Sequence, residues 1–330
     1  MRSINRREIV QSGLTTAAAL LTSQALAQES AKESPRLDAN EGEKADPFSH
    51  FRYALNTATI RGHKLGLVEQ FELAAKAGYH GVEPWIDDIE KYKNGGGSLA
   101  DMKKRIADLG LAVVGAIGFA NWIVDDDAAR AKGFEHAKRD MDLVAQIGGT
   151  HIAAPPAGAT DNANLDLRKA AERYRKLLEA GDAIGVVPQV EVWGFSKSLS
   201  RLSECAFVAI ESGHPKACVL TDVYHLYKGG TDFASFPLVS GAAMHCMHMN
   251  DYPANPPREK IADKDRVYPG EGVAPIGNII QALQASGFRG VLSLELFNPT
   301  YWKQDALEVA KKGLESMRSA VRRACDGGNE

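Results

Sequence analysis

Four short stretches of the chain each carry a side chain able to hold a cation or move a proton inside an otherwise apolar run. They are Val190-Glu191-Val192-Trp193, Thr221-Asp222-Val223-Tyr224-His225, His248-Met249-Asn250-Asp251 and Ser293-Leu294-Glu295-Leu296-Phe297. In a β-strand successive side chains point to opposite faces. That alternation sets Val190 and Val192 against Gln189, Glu191 and Trp193, and Leu292, Leu294 and Leu296 against Ser293, Glu295 and Phe297. Asp222 falls on the face of Cys218 and Leu220, and His248 on the face of Cys246 and Asn250. If the strands close into a barrel with the leucine face under helices, Glu191, Asp222, His248 and Glu295 meet inside its C-terminal mouth. Three carboxylates packed together repel one another and are costly to bury without a cation. Oxygen and imidazole donors without a thiolate favour Mn²⁺ or Co²⁺ and also suit Mg²⁺ and Zn²⁺.

The elements that must position these groups follow from periodicity. Strand signals cover 53–59, 81–85, 112–119, 151–155, 186–193, 218–224, 244–250 and 291–297, with starts about 34 residues apart, the length of one β-loop-α-loop unit. Between them run amphipathic patterns at 65–77, 128–147, 167–184, 199–212 and 305–324. Gly78-Tyr79, Gly110-Leu111 and Gly287-Phe288 have the form of helix stops before a strand. Eight such units predict a single-domain (β/α)8 TIM barrel over residues 48–325. The competing doubly wound sheet needs a Gly-rich phosphate turn after its first strand, and the stretch Asn56 to Gly62 offers none.

Composition narrows the function classes. The 330 residues are 44% apolar and 25% charged, with a net charge of −3, which describes an ordinary globular protein without the basic footprint of a nucleic-acid binder. No apolar run is long enough for a membrane span. Arg6-Arg7, a modest apolar stretch and Ala25-Leu26-Ala27 read in order as a twin-arginine-type signal peptide over residues 1–27. The expected partners of that segment are the twin-arginine translocase and signal peptidase, with export to the periplasm. Its removal leaves 36 basic against 41 acidic side chains, a net charge of −5. Residues 28–47 lack large apolar groups and read as a flexible leader. Cys205, Cys218, Cys246 and Cys325 form no C-x-x-C pair, so buried free thiols are expected.

Together with Arg266-Val-Tyr-Pro-Gly-Glu-Gly272, the four stretches resemble the xylose isomerase-like TIM-barrel family of sugar isomerases and epimerases. That family includes ketose 3-epimerases, hydroxypyruvate isomerase and inosose dehydratase, and the resemblance spans the whole barrel. It implies a metal held by Glu191, Asp222, His248 and Glu295, with Glu191 and Glu295 doubling as the acid/base pair. It also implies that His225 and Arg266 grip substrate oxygens, and it admits a homo-oligomer built through the helical ring. The stretch Trp193-Gly-Phe-Ser-Lys-Ser198 departs from the ketose 3-epimerases, which carry an acidic substrate contact there.

Other residues round out the expectation. Glu83 faces the interior by parity and is a candidate for sugar hydroxyls or for a buried ion pair. Trp193, Phe297, Tyr252 and Trp302 suggest an apolar wall against a sugar ring, and the long loop 251–273 suggests a specificity element. His151 and His245 read as structural. Glu271 and Pro299 disfavour a phosphate cradle after the last two strands, so the substrate is expected to be unphosphorylated. The functional expectation is a metal-dependent isomerase or epimerase of a sugar or keto-sugar acting through an enediolate. Alternatives are a dehydratase of an inosose-like or 3-keto-sugar on the same site, an abasic-site-type endonuclease, which the negative charge opposes, and a non-catalytic sugar-binding barrel.

Overall fold

A computed structural model describes residues 50–325, so the signal peptide and leader assigned to 1–47 lie outside the described residues. Eight strands appear where the alternation placed them: β1 Arg52–Asn56, β2 Gly81–Glu83, β3 Ala112–Val113, β4 His151–Ala154, β5 Val187–Glu191, β6 Val219–Asp222, β7 Cys246–Met249 and β8 Val291–Leu294. All paired neighbours are parallel, in the order β3-β2-β1-β8-β7-β6-β5-β4. The circle closes between β3 and β4 through a hydrogen bond donated by Ala153 N to Ala116 O at 2.9 Å. The result is a (β/α)8 barrel in a single domain.

Around the strands lie α1 Leu67–Ala77, α2 Ile86–Asn94, α3 Leu99–Asp108, α4 Asp127–Gln146, α5 Leu167–Ile184, α6 Leu202–Glu211, α7 Val223–Gly229, α8 Ile276–Ala285 and α9 Ala306–Cys325. Gly78 ends α1 at φ 93° and Gly287 follows α8 at φ 79°, a left-handed backbone that disfavours any side chain. The leucine face of β8 is fully buried against the helical layer, as its parity requires. The opposite faces of the strands form a small inner plug of Ile117, Ala153, Leu220 and Cys246. Cys205, Cys218 and Cys246 are buried free thiols.

The strands are shorter than their sequence signals, and β6 shows why. Val223 and Tyr224 are strong β-formers, yet the chain turns helical at Val223. Asp222 Oδ1 accepts the His225 N–H at 2.8 Å and Asn250 Oδ1 accepts the Tyr224 N–H at 2.9 Å. Two side-chain acceptors on the first turn of α7 outweigh local β propensity. The cap also swings His225 back over the strand ends.

Asp251, fully buried just past β7, organises the long loop that follows. Its Oδ2 accepts N–H bonds from Gly270 and Gly272 at 2.9 and 3.0 Å, and its Oδ1 those of Tyr252 and Ala274 at 2.7 and 2.9 Å. Its backbone exchanges both hydrogen bonds with Val267, which brings Arg266 back to the mouth. Asp251→Ala strands these donors and is expected to cost about 2–3 kcal/mol. Thermal unfolding checks this: a Tm equal to the wild type's removes Asp251 as the organiser of the loop.

Candidate metal and catalytic site

Each predicted ligand sits at or beside the C-terminal end of a strand. Glu191 and Asp222 are the last residues of β5 and β6, His248 lies within β7 and Glu295 directly follows β8. Register brings them level: Asp222 pairs with His248, and His248 with Ser293. All four side chains are buried. One ligand atom each from Asp222, His248 and Glu295 lies within 4.8 Å of the others. His248 Nδ1 is 3.3 Å from Glu295 Oε2 and 3.8 Å from Asp222 Oδ2. Glu191 feels the charges of His248, Glu295 and Asp222, and its Oε2 has no hydrogen-bond partner among the described residues.

Neutral and cationic donors hold this cluster together. Arg266, 1% exposed, sends Nη1 to Glu295 Oε2 at 2.8 Å and to Asp222 Oδ2 at 3.0 Å, while Nη2 reaches Asp263 and lies 3.1 Å from His225 Nε2. Asn56 Nδ2 donates to Glu295 Oε1 at 2.9 Å, and Asn250 Nδ2 to Asp222 Oδ2 at 3.0 Å. Asn56 carries no charge to mark it in the sequence, but as the last residue of β1 it shares a face with Ala54, toward the barrel interior.

Glu83 takes the second of its two expected roles, the buried ion pair. It points inward as parity requires, but it is fully buried behind the imidazole rather than open to a sugar. Its Oε2 accepts from His248 Nε2 at 3.0 Å, Ser293 Oγ at 2.8 Å and Asn56 Nδ2 at 3.2 Å. Gly115 makes room for it, since a Cβ there would lie 2.6 Å from Glu83 Oε1. With Nε2–H committed to Glu83, the Nδ1 side of His248 is the one turned to Asp222 and Glu295. A carboxylate behind a histidine in this way fixes the ring and its tautomer for a metal.

Electrostatics separate the two glutamates. Burial, with Glu295 and Asp222 adding to it and His248 opposing, pushes Glu191 up to about 8. Burial also acts to raise Glu295, but His248 and Arg266 outweigh it and hold that carboxyl well below the usual range. Burial disfavours a charge on His248, yet Glu295 and Glu83 overcome it and raise its pKa well above normal. His225 is lowered by burial, with Arg266 adding to the effect against Asp222. Cys246, the neighbour of Glu83 and His248, has its thiol pushed up by burial to about 12, which makes it an inert core group.

The donor set fits a divalent cation. Glu191 Oε2 and His248 Nδ1 are buried polar atoms lacking a hydrogen-bond partner among the described residues, and both belong to the oxygen and imidazole set. The aromatic wall is only partly as expected. Trp193 and Phe297 line the mouth, whereas Tyr252 stacks on Tyr227 at 3.8 Å and Trp302 donates its Nε1–H to Thr59 O at 3.2 Å. His151 and His245 meet at 4.3 Å between ring centroids with the rings tilted by 39°, at the start of β4 and just before β7, away from the mouth.

A family model described as xylose isomerase-like TIM barrel matches residues 71–320. The chain is 26% identical over 262 residues to an inosose isomerase of Bacillus velezensis, covering 77% of this chain and 92% of that protein. It is 27% identical over 260 residues to a 3-dehydroshikimate dehydratase of Pseudomonas aeruginosa, covering 76% of this chain but 39% of that longer protein. Among solved structures, the IOLI protein with a bound zinc atom superposes with a TM-score of 0.77 at 20% identity, over 83% of this chain and 99% of that one.

Glu191 and His248 both hold protons at neutral pH in the cation-free protein, so loading a cation must release them. Affinity for Mn²⁺ is therefore expected to rise with pH, by about tenfold per unit for each proton displaced, with the Glu191 contribution levelling off above its pKa of about 8. Calorimetric titration in buffers of different ionisation enthalpy measures both the affinity and the protons released. In the same titration Glu83→Gln should bind Mn²⁺ about 10–100-fold more weakly. Wild-type affinity in that variant, or uptake without proton release, contradicts the assignment.

Proposed function

The chain belongs to the xylose isomerase-like TIM barrel family, and from that premise we propose that it is a metal-dependent enzyme that isomerises or epimerises an unphosphorylated sugar or keto-sugar. One observation carries this reading: Asp222, His248 and Glu295 converge within 4.8 Å, with an unpartnered Glu191 oxygen in the same cluster. Glu191, Asp222, His248 and Glu295 would hold the cation, which supplies positive charge to the oxygen that turns negative when a proton leaves the carbon beside a carbonyl. The donor set and the zinc-bearing IOLI structure support a divalent ion, and we favour Mn²⁺ or Co²⁺.

The chain's own groups account for the proton movements. Glu295 is clamped, one oxygen by Asn56 and the other by Arg266, which fixes the position at which it would take a proton. Glu191 stands on a strand three places away around the barrel, and its bare Oε2 is able to carry a proton to or from another side of the substrate. The two carboxyl groups reach the cluster from different strands, so a proton taken by one could be returned from the other side of the bound carbon. Return of the proton to the opposite face of one carbon gives an epimer, and return to the neighbouring carbon gives an isomer. Arg266 and His225 stand together over the cluster, placed to receive substrate oxygens.

A dehydratase is the second reading, favoured by the similarity to 3-dehydroshikimate dehydratase. The same base would remove the proton, and a β-hydroxyl would depart instead. Proton NMR of the products in D₂O separates the outcomes: deuterium at one inverted centre, at a carbon beside a shifted carbonyl, or loss of water. Chelation should abolish turnover and Mn²⁺ or Co²⁺ restore it. Glu295→Gln should keep the fold while lowering kcat by about 10²–10⁴. Full activity in metal-stripped protein, or near-normal turnover in Glu295→Gln, removes the reading.

Asp251 supports an unphosphorylated substrate. A barrel commonly cradles phosphate with backbone N–H groups in the loops after its last two strands. Here the N–H groups of Gly270, Gly272 and Ala274 are already engaged by the Asp251 carboxylate, and Glu271 adds a negative side chain, paired with Lys312 at 2.9 Å. Matched sugars with and without a terminal phosphate should differ in kcat/KM in favour of the free sugar. A tenfold preference for the phosphate ester would sink this part of the proposal.

A further inference from the structure

The groups around the mouth form a closed circuit of side chains, and most of that circuit is aromatic. Phe297, after β8, meets Trp85, after β2, at 6.1 Å between ring centroids. Trp85 meets Phe119, beyond β3, at 5.1 Å, and Phe119 meets Trp193, after β5, at 5.9 Å. Trp193 continues to Phe195 at 5.1 Å, and Phe195 to His225 at 5.7 Å. The 3.1 Å approach of His225 to Arg266 and the 5.0 Å approach of Arg266 to Phe297 complete the circle. Five partly exposed aromatic side chains thus occupy one arc, with the Arg61 guanidinium 4.0 Å over the Trp85 ring, while His225 and Arg266 make up the rest of the circuit.

The outermost member is Phe195, 47% exposed. Its exposure is built and not a product of a loose loop. Ser196 N–H donates to Trp193 O at 2.9 Å, Lys197 N–H to Thr160 O at 2.7 Å and Ser198 Oγ–H to Ala159 O at 2.8 Å. Gly194 lets the loop lie flat on α7, since a Cβ there would fall 2.2 Å from His225 O. A lone exposed phenylalanine is unremarkable, but one held rigidly at the end of a continuous aromatic arc presents a face to a ligand.

We infer that the site takes a sugar or cyclitol ring that carries a flat apolar substituent. This inference rests on the sugar-directed function above and names the substrate class of that same site. The C–H face of the ring lies along the inner part of the arc, its oxygens turn to Arg266 and His225, and the substituent stacks on Phe195. An open-chain sugar or a three-carbon acid presents no rigid C–H face to set against this arc, and a bare ring leaves Phe195 uncovered.

The test is binding to the full Mn²⁺-loaded protein, followed by tryptophan fluorescence and by calorimetry, with methyl β-D-glucopyranoside and phenyl β-D-glucopyranoside as probes. The phenyl glucoside should bind about tenfold more tightly or better. Phe195→Ala should remove that preference, Phe195→Tyr should keep it, and neither should change Mn²⁺ affinity. Equal affinity for the two probes, binding of neither, or a preference that survives in Phe195→Ala overturns the inference. Because the readout is binding, failure here leaves the Glu295→Gln turnover result standing, and failure of that result leaves this one interpretable.

Discussion

Burying four carboxylates around one imidazole is the constraint on which the rest of this molecule depends. Glu83, Glu191, Asp222 and Glu295 are all at most 4% exposed, and His248 lies among them fully buried. Such a cluster in a medium of low polarity tears itself apart unless positive charge or protons are supplied. The protein supplies one permanent charge through Arg266, neutral donors through Asn56, Asn250 and Ser293, and lets Glu191 keep its proton. Its partial compensation is what makes the site receptive: two ligand-competent atoms, Glu191 Oε2 and His248 Nδ1, are left without hydrogen bonds among the described residues.

The barrel divides the labour accordingly. Groups that would meet a cation come from strand ends, whose register sets their depth to within a residue. Groups that would meet the substrate come from the segments beyond the strands: His225 from a short helix capped by Asp222 itself, and Arg266 from a loop tied down by Asp251. The capping bond is informative because one carboxylate serves both tasks. Asp222 Oδ1 fixes the turn that carries His225 while its Oδ2 faces the cluster. The position of His225 and the charge of the cluster are therefore linked through a single side chain.

Much of this was legible in the sequence, because strand parity is a binary property. Once the apolar residues of 291–296 are assigned to the helical side, Glu295 has only one direction left, and the same holds for Glu191, Asp222 and His248. Depth was harder to read. Glu83 has the right parity but lies under the histidine, and only the missing side chain of Gly115 hints at the space it fills. Helix α7 was invisible because Val223 and Tyr224 are good strand formers, and the acceptors that start the helix lie on two different strands. The aromatic arc is partly legible: Trp85, Trp193 and Phe297 fall at the ends of strand signals, Phe119 ends a signal whose strand stops at Val113, and Phe195 lies in a segment to which no period applies.

The closure between β3 and β4 gives the barrel a clasp. Strand ladders join every other neighbouring pair, while here Ala153 N and Ala116 O close the wall. In an eight-membered ring the point opposite this join lies between β7 and β8, where His248 and Ser293 sit in register. A cylinder with one weak seam flexes as a split collar does: it opens at the seam and hinges on the far side, where relative displacement is smallest. In that geometry a displacement at the join between β3 and β4 moves His248 and Glu295 least, since they stand on the laddered side opposite it. The side of the wall that carries the Asp222, His248 and Ser293 register is thus the stiffest part of the cylinder, and the side that carries Phe119 the one held by the fewest bonds.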